Sequence, residues 1–161
     1  MSSPLIRSAL MVRDLNQSRR FYEEVIGLTA TYLDADLSST IAWKLLGVSE
    51  DSSVRCVILK PAEIAGEPAP NFGMLGLFEL NDSDLSELPR RTDGIVFGEA
   101  VLVFYIEDMV RCLDLVETHG GQVLTGPEEF RLPNVRATEA IVRDPDGVAI
   151  NLVEASDAVA W

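Results

Sequence analysis

The chain contains one histidine, His119, directly followed by Gly120-Gly121. A site of two histidines and one carboxylate for iron needs two imidazoles, so one chain of this sequence does not build it. His119 stands where a helix ends, and it reads as a residue interacting with the negative end of a helix dipole rather than as a catalytic base. That placement also argues against a Ser-His-Asp arrangement. No Gly-x-Ser-x-Gly turn, Walker-type loop or dinucleotide fingerprint occurs. The two cysteines, Cys56 and Cys112, have no CxxC spacing and read as reduced packing thiols. The side chains left as candidates for chemistry are Arg, Glu, Tyr and Asn residues on strands.

The elements that would hold them come in two copies. Ala9–Leu15 and Val103–Met109 are both apolar strands ending on an acidic residue, followed by an apolar residue that opens a helix. Asp14 and Asp108 are suited to cap those helices, since a carboxylate accepts from the free N–H groups of a first turn. Each helix with its stop spans about thirteen residues, to Gly27 and to Gly121. Met109, Cys112, Leu113 and Val116 draw one apolar stripe at helical spacing, and Phe21, Tyr22 and Val25 take the matching face. Gly27, Gly120 and Gly121 offer the positive φ of a helix C-terminus. Three strand-like stretches follow in each half: 28–33, 54–60 and 72–80, then 122–124, 135–143 and 148–154. Asp144-Pro145-Asp146-Gly147 marks a turn between the last two. The reading is one α+β domain over 1–161, with module one at 4–80, a linker at 81–98 and module two at 99–155. Its two βαβββ modules would carry curved antiparallel sheets enclosing a cleft. An insertion at 35–53 contains Trp43 in a short helical stretch.

Composition narrows the partners. The 161 residues carry a formal charge of −13, which repels a phosphate backbone and an anionic membrane surface. No apolar run approaches the ~20 residues that span a bilayer, and the N-terminus lacks a secretory h-region. A cytoplasmic protein is expected.

Val12-Arg13-Asp14-Leu15, Phe21-Tyr22 and Gly27-Leu28, with His119-Gly120-Gly121, Gly126-Pro127 and Asp144–Ile150, resemble the two half-signatures of the vicinal oxygen chelate superfamily. That group includes glyoxalase I, extradiol dioxygenases, fosfomycin-resistance proteins and bleomycin-binding proteins. The resemblance covers nearly the whole chain except the insertion and the linker. It implies four metal-ligand positions, one lying seven residues before each strand-ending aspartate and one on each half's last strand. Here these positions map to Arg7, Glu79, Val101 and Asn151. Arginine stays protonated and valine has no lone pair, so no metal and no other cofactor is expected.

Strand alternation then predicts the lining of the cleft. Arg7, Ala9 and Met11 would face it, with Val101, Val103 and Tyr105, and on the closing strands Leu77, Glu79, Ala149, Asn151 and Val153. Arg7 and Glu79 would lie within reach of each other. They would pair quietly, or Arg7 would bind an anionic or carbonyl oxygen while Glu79 accepts a proton. Tyr105 and Arg136 would add a phenol and a second cation, and Trp43 would cover the cleft or pack at a subunit contact. Three functions remain open. One is a metal-independent binder of an apolar or aromatic small molecule, of the bleomycin-resistance type. Another is a metal-free isomerase or lyase using Glu79 as base with Arg7 and Tyr105. The third is a metal-dependent, glyoxalase-like lyase completed by Glu99. A homodimer is the expected assembly.

Overall fold

The computed structural model describes residues 3–81, 93–133 and 135–155. Most of the expected linker, residues 82–92, lies outside them. In both halves the strand-ending aspartate caps the helix that follows. Asp14 Oδ1 accepts from the Gln17 amide and Asp108 Oδ1 from the Arg111 amide, each at 2.9 Å. The first helix, α1 (Leu15–Phe21), runs into one π-helical turn, Tyr22–Ile26, and stops at Gly27 with φ 89°. Phe21 and Tyr22 are both fully buried and meet edge to face, with ring centroids 5.3 Å apart.

The first unit is a four-stranded sheet in the order β1-β6-β3-β2. Its strands are β1 (Arg7–Val12), β2 (Ala30–Asp36), β3 (Ser53–Lys60) and β6 (Met74–Asn81). A two-stranded ribbon, β4 (Glu63–Ile64) with β5 (Glu67–Pro68), connects β3 to β6, and the insertion carries α2 (Ala42–Leu46). β1 and β6 run parallel and the other pairs antiparallel. One sheet face carries Val57, Leu59, Leu75 and Leu77 in register, buried together with the α1 residues Leu15 and Phe21.

The second unit repeats the plan, with order β7-β10-β9-β8. Its elements are β7 (Val101–Tyr105), α3 (Met109–Thr118), β8 (Gln122–Leu132), β9 (Val135–Arg143) and β10 (Ala149–Ala155). Glu24–Ile26, at the end of the π-helical turn, group with this unit. Met109, Cys112 and Val116 are buried on α3, as the stripe predicts, together with Ala140, Val142, Ile150 and Leu152 of the sheet. His119 is the C-cap of α3, and Gly120 takes the left-handed conformation. Gly121 does not, so one glycine rather than two provides the stop. No helix among the described residues is long and apolar enough to cross a membrane.

β8 is far longer than the expected 122–124. Two register shifts, at Val123/Thr125 and Thr125/Glu128, absorb Gly126-Pro127 and let the ladder continue to Leu132. A proline is tolerated there because β8 is an edge strand and the shift removes it from regular pairing.

Candidate functional site

The expected pairing of Arg7 with Glu79 does not form. Parallel register sets Arg7 opposite Met74 and Val12 opposite Glu79. Five residues along a strand is about 16 Å, and an odd separation puts the two side chains on opposite faces. Glu79 and Leu77 belong to the helix face, which corrects their placement in a cleft. Glu79 Oε1 accepts from the Leu15 amide at 3.0 Å, satisfying a free N–H of the first turn of α1. The second unit repeats this, with Glu154 Oε1 accepting from the Met109 amide at 3.0 Å.

That repeat also moves one of the four ligand positions. Arg7 and Val101 each lie seven residues before their aspartate. Register then places Ala9 against Gly76 and Val103 against Asn151. The equivalent of Asn151 is therefore Gly76, and the equivalent of Glu79 is the capping Glu154. The four positions hold Arg7, Gly76, Val101 and Asn151, without an imidazole or a carboxylate. These residues do not fit a divalent metal. Among the described residues no group of three or more His, Cys, Asp or Glu is placed to hold an ion.

The face of the first sheet opposite α1 carries Arg7, Ala9 and Met11 with Met74, Gly76 and Phe78. Cys56, Ile58 and Met74 form a buried cluster against which Leu37 and Phe78 pack. The stem of Arg7 lies over Gly76, where a Cβ would meet Arg7 Cδ at 3.3 Å and Phe78 Cε2 at 3.0 Å. Arg7 and Met11 are exposed. Burial pushes the Cys56 thiol up, and the nearby Arg7 charge opposes this less strongly. Cys112 is also pushed up by burial, to about 11, and its thiol donates to the Val25 carbonyl at 3.2 Å. Both cysteines are thus protonated packing groups. Trp43 sits half-buried on α2 in this unit.

The corresponding face of the second sheet brings together more of the expected residues. Val101, Val103 and Tyr105 of β7 share it with Ala149, Asn151 and Val153 of β10. Ala137, Glu139, Ile141 and Arg143 of β9, with Thr125, Glu128 and Phe130 of β8, complete it. Val103 and Tyr105 at one edge and Phe130 at the other are 60%, 47% and 43% exposed, while Ala137, Ala149 and Val153 between them are buried. Arg136 does not belong to this face: it alternates with Thr138, Ala140 and Val142 and pairs with Arg131. Glu139 was not among the expected residues, yet it is the polar centre of the face. Asn151 Nδ2 donates to Glu139 Oε2 at 2.9 Å, and Asn151 Oδ1 is buried with no donor among the described residues.

Glu99, the carboxylate expected to complete a metal site, is engaged elsewhere. Arg143 Nη1 donates to Glu99 Oε1 at 2.5 Å and to the Gly147 carbonyl at 2.7 Å. Its Nη2 donates to the Gly94 carbonyl at 2.8 Å. Asp144 Oδ1 accepts from the Asp146 and Val148 amides, which fixes the turn. The adjoining cavity of about 50 Å³, lined by Gly120, Gly121, Gln122, Arg143, Asp144, Pro145 and Gly147, is much smaller than an organic ligand needs. This cluster is structural.

The separation of Arg7 from Glu79 has a measurable consequence. Glu79→Ala is expected to cost about 1–2 kcal/mol by leaving the Leu15 amide without its acceptor, and Glu79→Gln much less. Arg7→Met and Glu79→Ala should add within about 0.5 kcal/mol in urea unfolding. A larger coupling would mean that the two side chains share an interaction.

Comparison with known proteins agrees with this architecture. A glyoxalase family protein from Bacillus cereus superposes with TM-score 0.73 at 18% identity, covering 96% of this chain and 95% of that one. Trypanothione-dependent glyoxalase I from Leishmania major gives 0.57 at 17%, covering 95% and 87%. A glyoxalase/dioxygenase from Nostoc punctiforme gives 0.56 at 18%, covering 95% and 91%. At these identities the likeness concerns the fold alone. No curated protein matches the chain. The family model matches residues 5–152, nearly the full length of both modules, and the chain belongs to the Glyoxalase/Bleomycin resistance protein/Dioxygenase superfamily.

Proposed function

We propose that the protein is a metal-independent small-molecule binder of the glyoxalase/bleomycin-resistance type, a cytoplasmic homodimer that takes its ligand on the open face of the second sheet. The observation that carries this is the set Arg7, Gly76, Val101 and Asn151 at the four ligand positions. The position that sequence mapping gave to a carboxylate is a glycine, and nothing in the set is a strong metal donor. The reading of a metal-free isomerase or lyase loses its base, because Glu79 faces the helix and is bound to the Leu15 amide. What supports binding is a largely apolar sheet face with a few polar groups, on which Val103, Tyr105 and Phe130 remain exposed.

Elemental analysis after chelator-free purification should find well under about 0.1 equivalent of zinc, nickel, iron or manganese. Native mass spectrometry should find the dimer and any retained small molecule in stoichiometric amount. About one metal per chain would overturn the metal-independent reading, and a monomeric mass at high concentration would overturn the dimer.

A further inference from the structure

Apart from the buried Arg143, the described charged side chains on the open face of the second sheet are the carboxylates of Glu128 and Glu139. Four strands align Tyr105, Val153, Glu139 and Glu128 in one cross-strand row, so two carboxylate residues stand directly opposite each other. Like charges at such positions cost stability unless something else benefits from them. Asn151 sharpens the same bias. Its amide nitrogen must point to Glu139, because the reverse orientation would set an oxygen against a carboxylate oxygen. The Oδ1 atom is thereby left as a further acceptor.

Cations are sorted away from this surface. Arg131 and Arg136 pair on the opposite face of the same two strands. Among the described strand residues on the open face, Arg143 is the one cation. It is buried and bound to Glu99. Phe130 lies next to the carboxylates on β8, and Tyr105 and Val103 lie across β10 from them on β7, all exposed. An anionic ligand would meet carboxylates there with no charge to receive it. A neutral apolar ligand would desolvate Glu139 without compensation. A cation with an apolar body satisfies both halves of the surface, and an aromatic face such as that of Tyr105 adds attraction for it. The net charge of −13 raises the local concentration of such a molecule.

Resting on the reading of this face as the ligand site, we propose that its ligand is an organic cation. An ammonium or guanidinium group would be held by Glu139, positioned by Asn151, with an aromatic or aliphatic body reaching across Val153 to Tyr105 and Val103. The test uses three probes with one body: 1-naphthylmethylammonium, 1-naphthylmethanol and 1-naphthoate. Each is titrated into the full-length ¹⁵N-labelled chain at about 0.15 M salt, where diffuse attraction is screened.

The ammonium probe is expected to shift amides of β7, β9 and β10 and to bind at least about tenfold more tightly than naphthoate. Glu139→Gln, which keeps an acceptor for Asn151 Nδ2, should weaken the ammonium probe about tenfold and leave the alcohol nearly unchanged. Glu117→Gln removes the same charge from an exposed position on α3 and should change neither. Naphthoate binding these strands as tightly as the ammonium probe would overturn the cation assignment while leaving the face as a ligand site. Ammonium binding that Glu139→Gln does not weaken would overturn it too. If none of the probes shifts these strands, the ligand face itself falls.

Discussion

Arg143→Met is expected to destabilise the protein by about 3–5 kcal/mol, because it strands the Glu99 carboxylate in a largely buried site. The Arg143 side chain is 4% exposed and that of Glu99 18%, so water does little to screen or replace the pair. The guanidinium also serves the carbonyls of Gly94 and Gly147, which would lose a charged donor. Glu99→Leu alone should be costly for the converse reason, leaving a buried guanidinium uncompensated. The double variant should then cost about 1–3 kcal/mol less than the sum of the two singles. Recovery stays partial, since two carbonyls remain without a donor. Urea unfolding followed by far-UV circular dichroism measures all three. A single-variant loss under about 1 kcal/mol would show that the cluster is better solvated than its burial implies.

Gly126→Ala should be nearly as damaging, about 3 kcal/mol or more. A Cβ at this position would meet the Ala140 Cβ at 2.7 Å, its Cα at 2.8 Å and the Glu139 carbonyl at 2.9 Å. Two of these three neighbours are backbone atoms of the adjoining strand, which yield only if the ladder shifts. The backbone there has φ 114°, a conformation unfavourable for any L side chain, which adds its own strain. Gly27→Ala is the control. Gly27 is also left-handed, at φ 89°, but a Cβ would touch nothing within 4 Å. Its cost should be about 1 kcal/mol, the conformational part alone. Equal losses for the two glycines would mean that close packing at Gly126 contributes nothing.

The parts of the fold that local chemistry dictates were legible in the sequence. Asp14 and Asp108 cap the helices that their positions announce, and Met109, Cys112 and Val116 of the α3 stripe are buried, with Leu113 partly so. The misreading of β6 has a physical cause. In β6, Met74-Leu75-Gly76-Leu77-Phe78 is apolar in both phases, so alternation does not choose a face, and a slip of one residue inverts every side chain. An odd shift, three residues here, put Glu79 beside Arg7 and hid Gly76. A usable signal did exist, since Glu79 and Glu154 end their modules at matching places, three residues after Gly76 and Asn151. Glu139 was overlooked because a glutamate in an alternating strand reads as a solvated residue, and its meaning arises only from Asn151 and Glu128 on the strands to either side. The length of β8 was hidden by Gly126-Pro127, a pair that ordinarily ends a strand. Here the register shifts accommodate it.

The reach of Glu79 and Glu154 back to the first helical amide sets an order on synthesis. The aspartate caps are local and can form as soon as α1 and α3 do. The Leu15 amide instead waits for a carboxylate 64 residues downstream, and the Met109 amide for one 45 residues downstream. At translation rates of about 5–20 residues per second, the first wait lasts on the order of 3–13 seconds. Each module thus remains open at the start of its helix until its own last strand has emerged from the ribosome. The final bond of the module joins its end to its beginning.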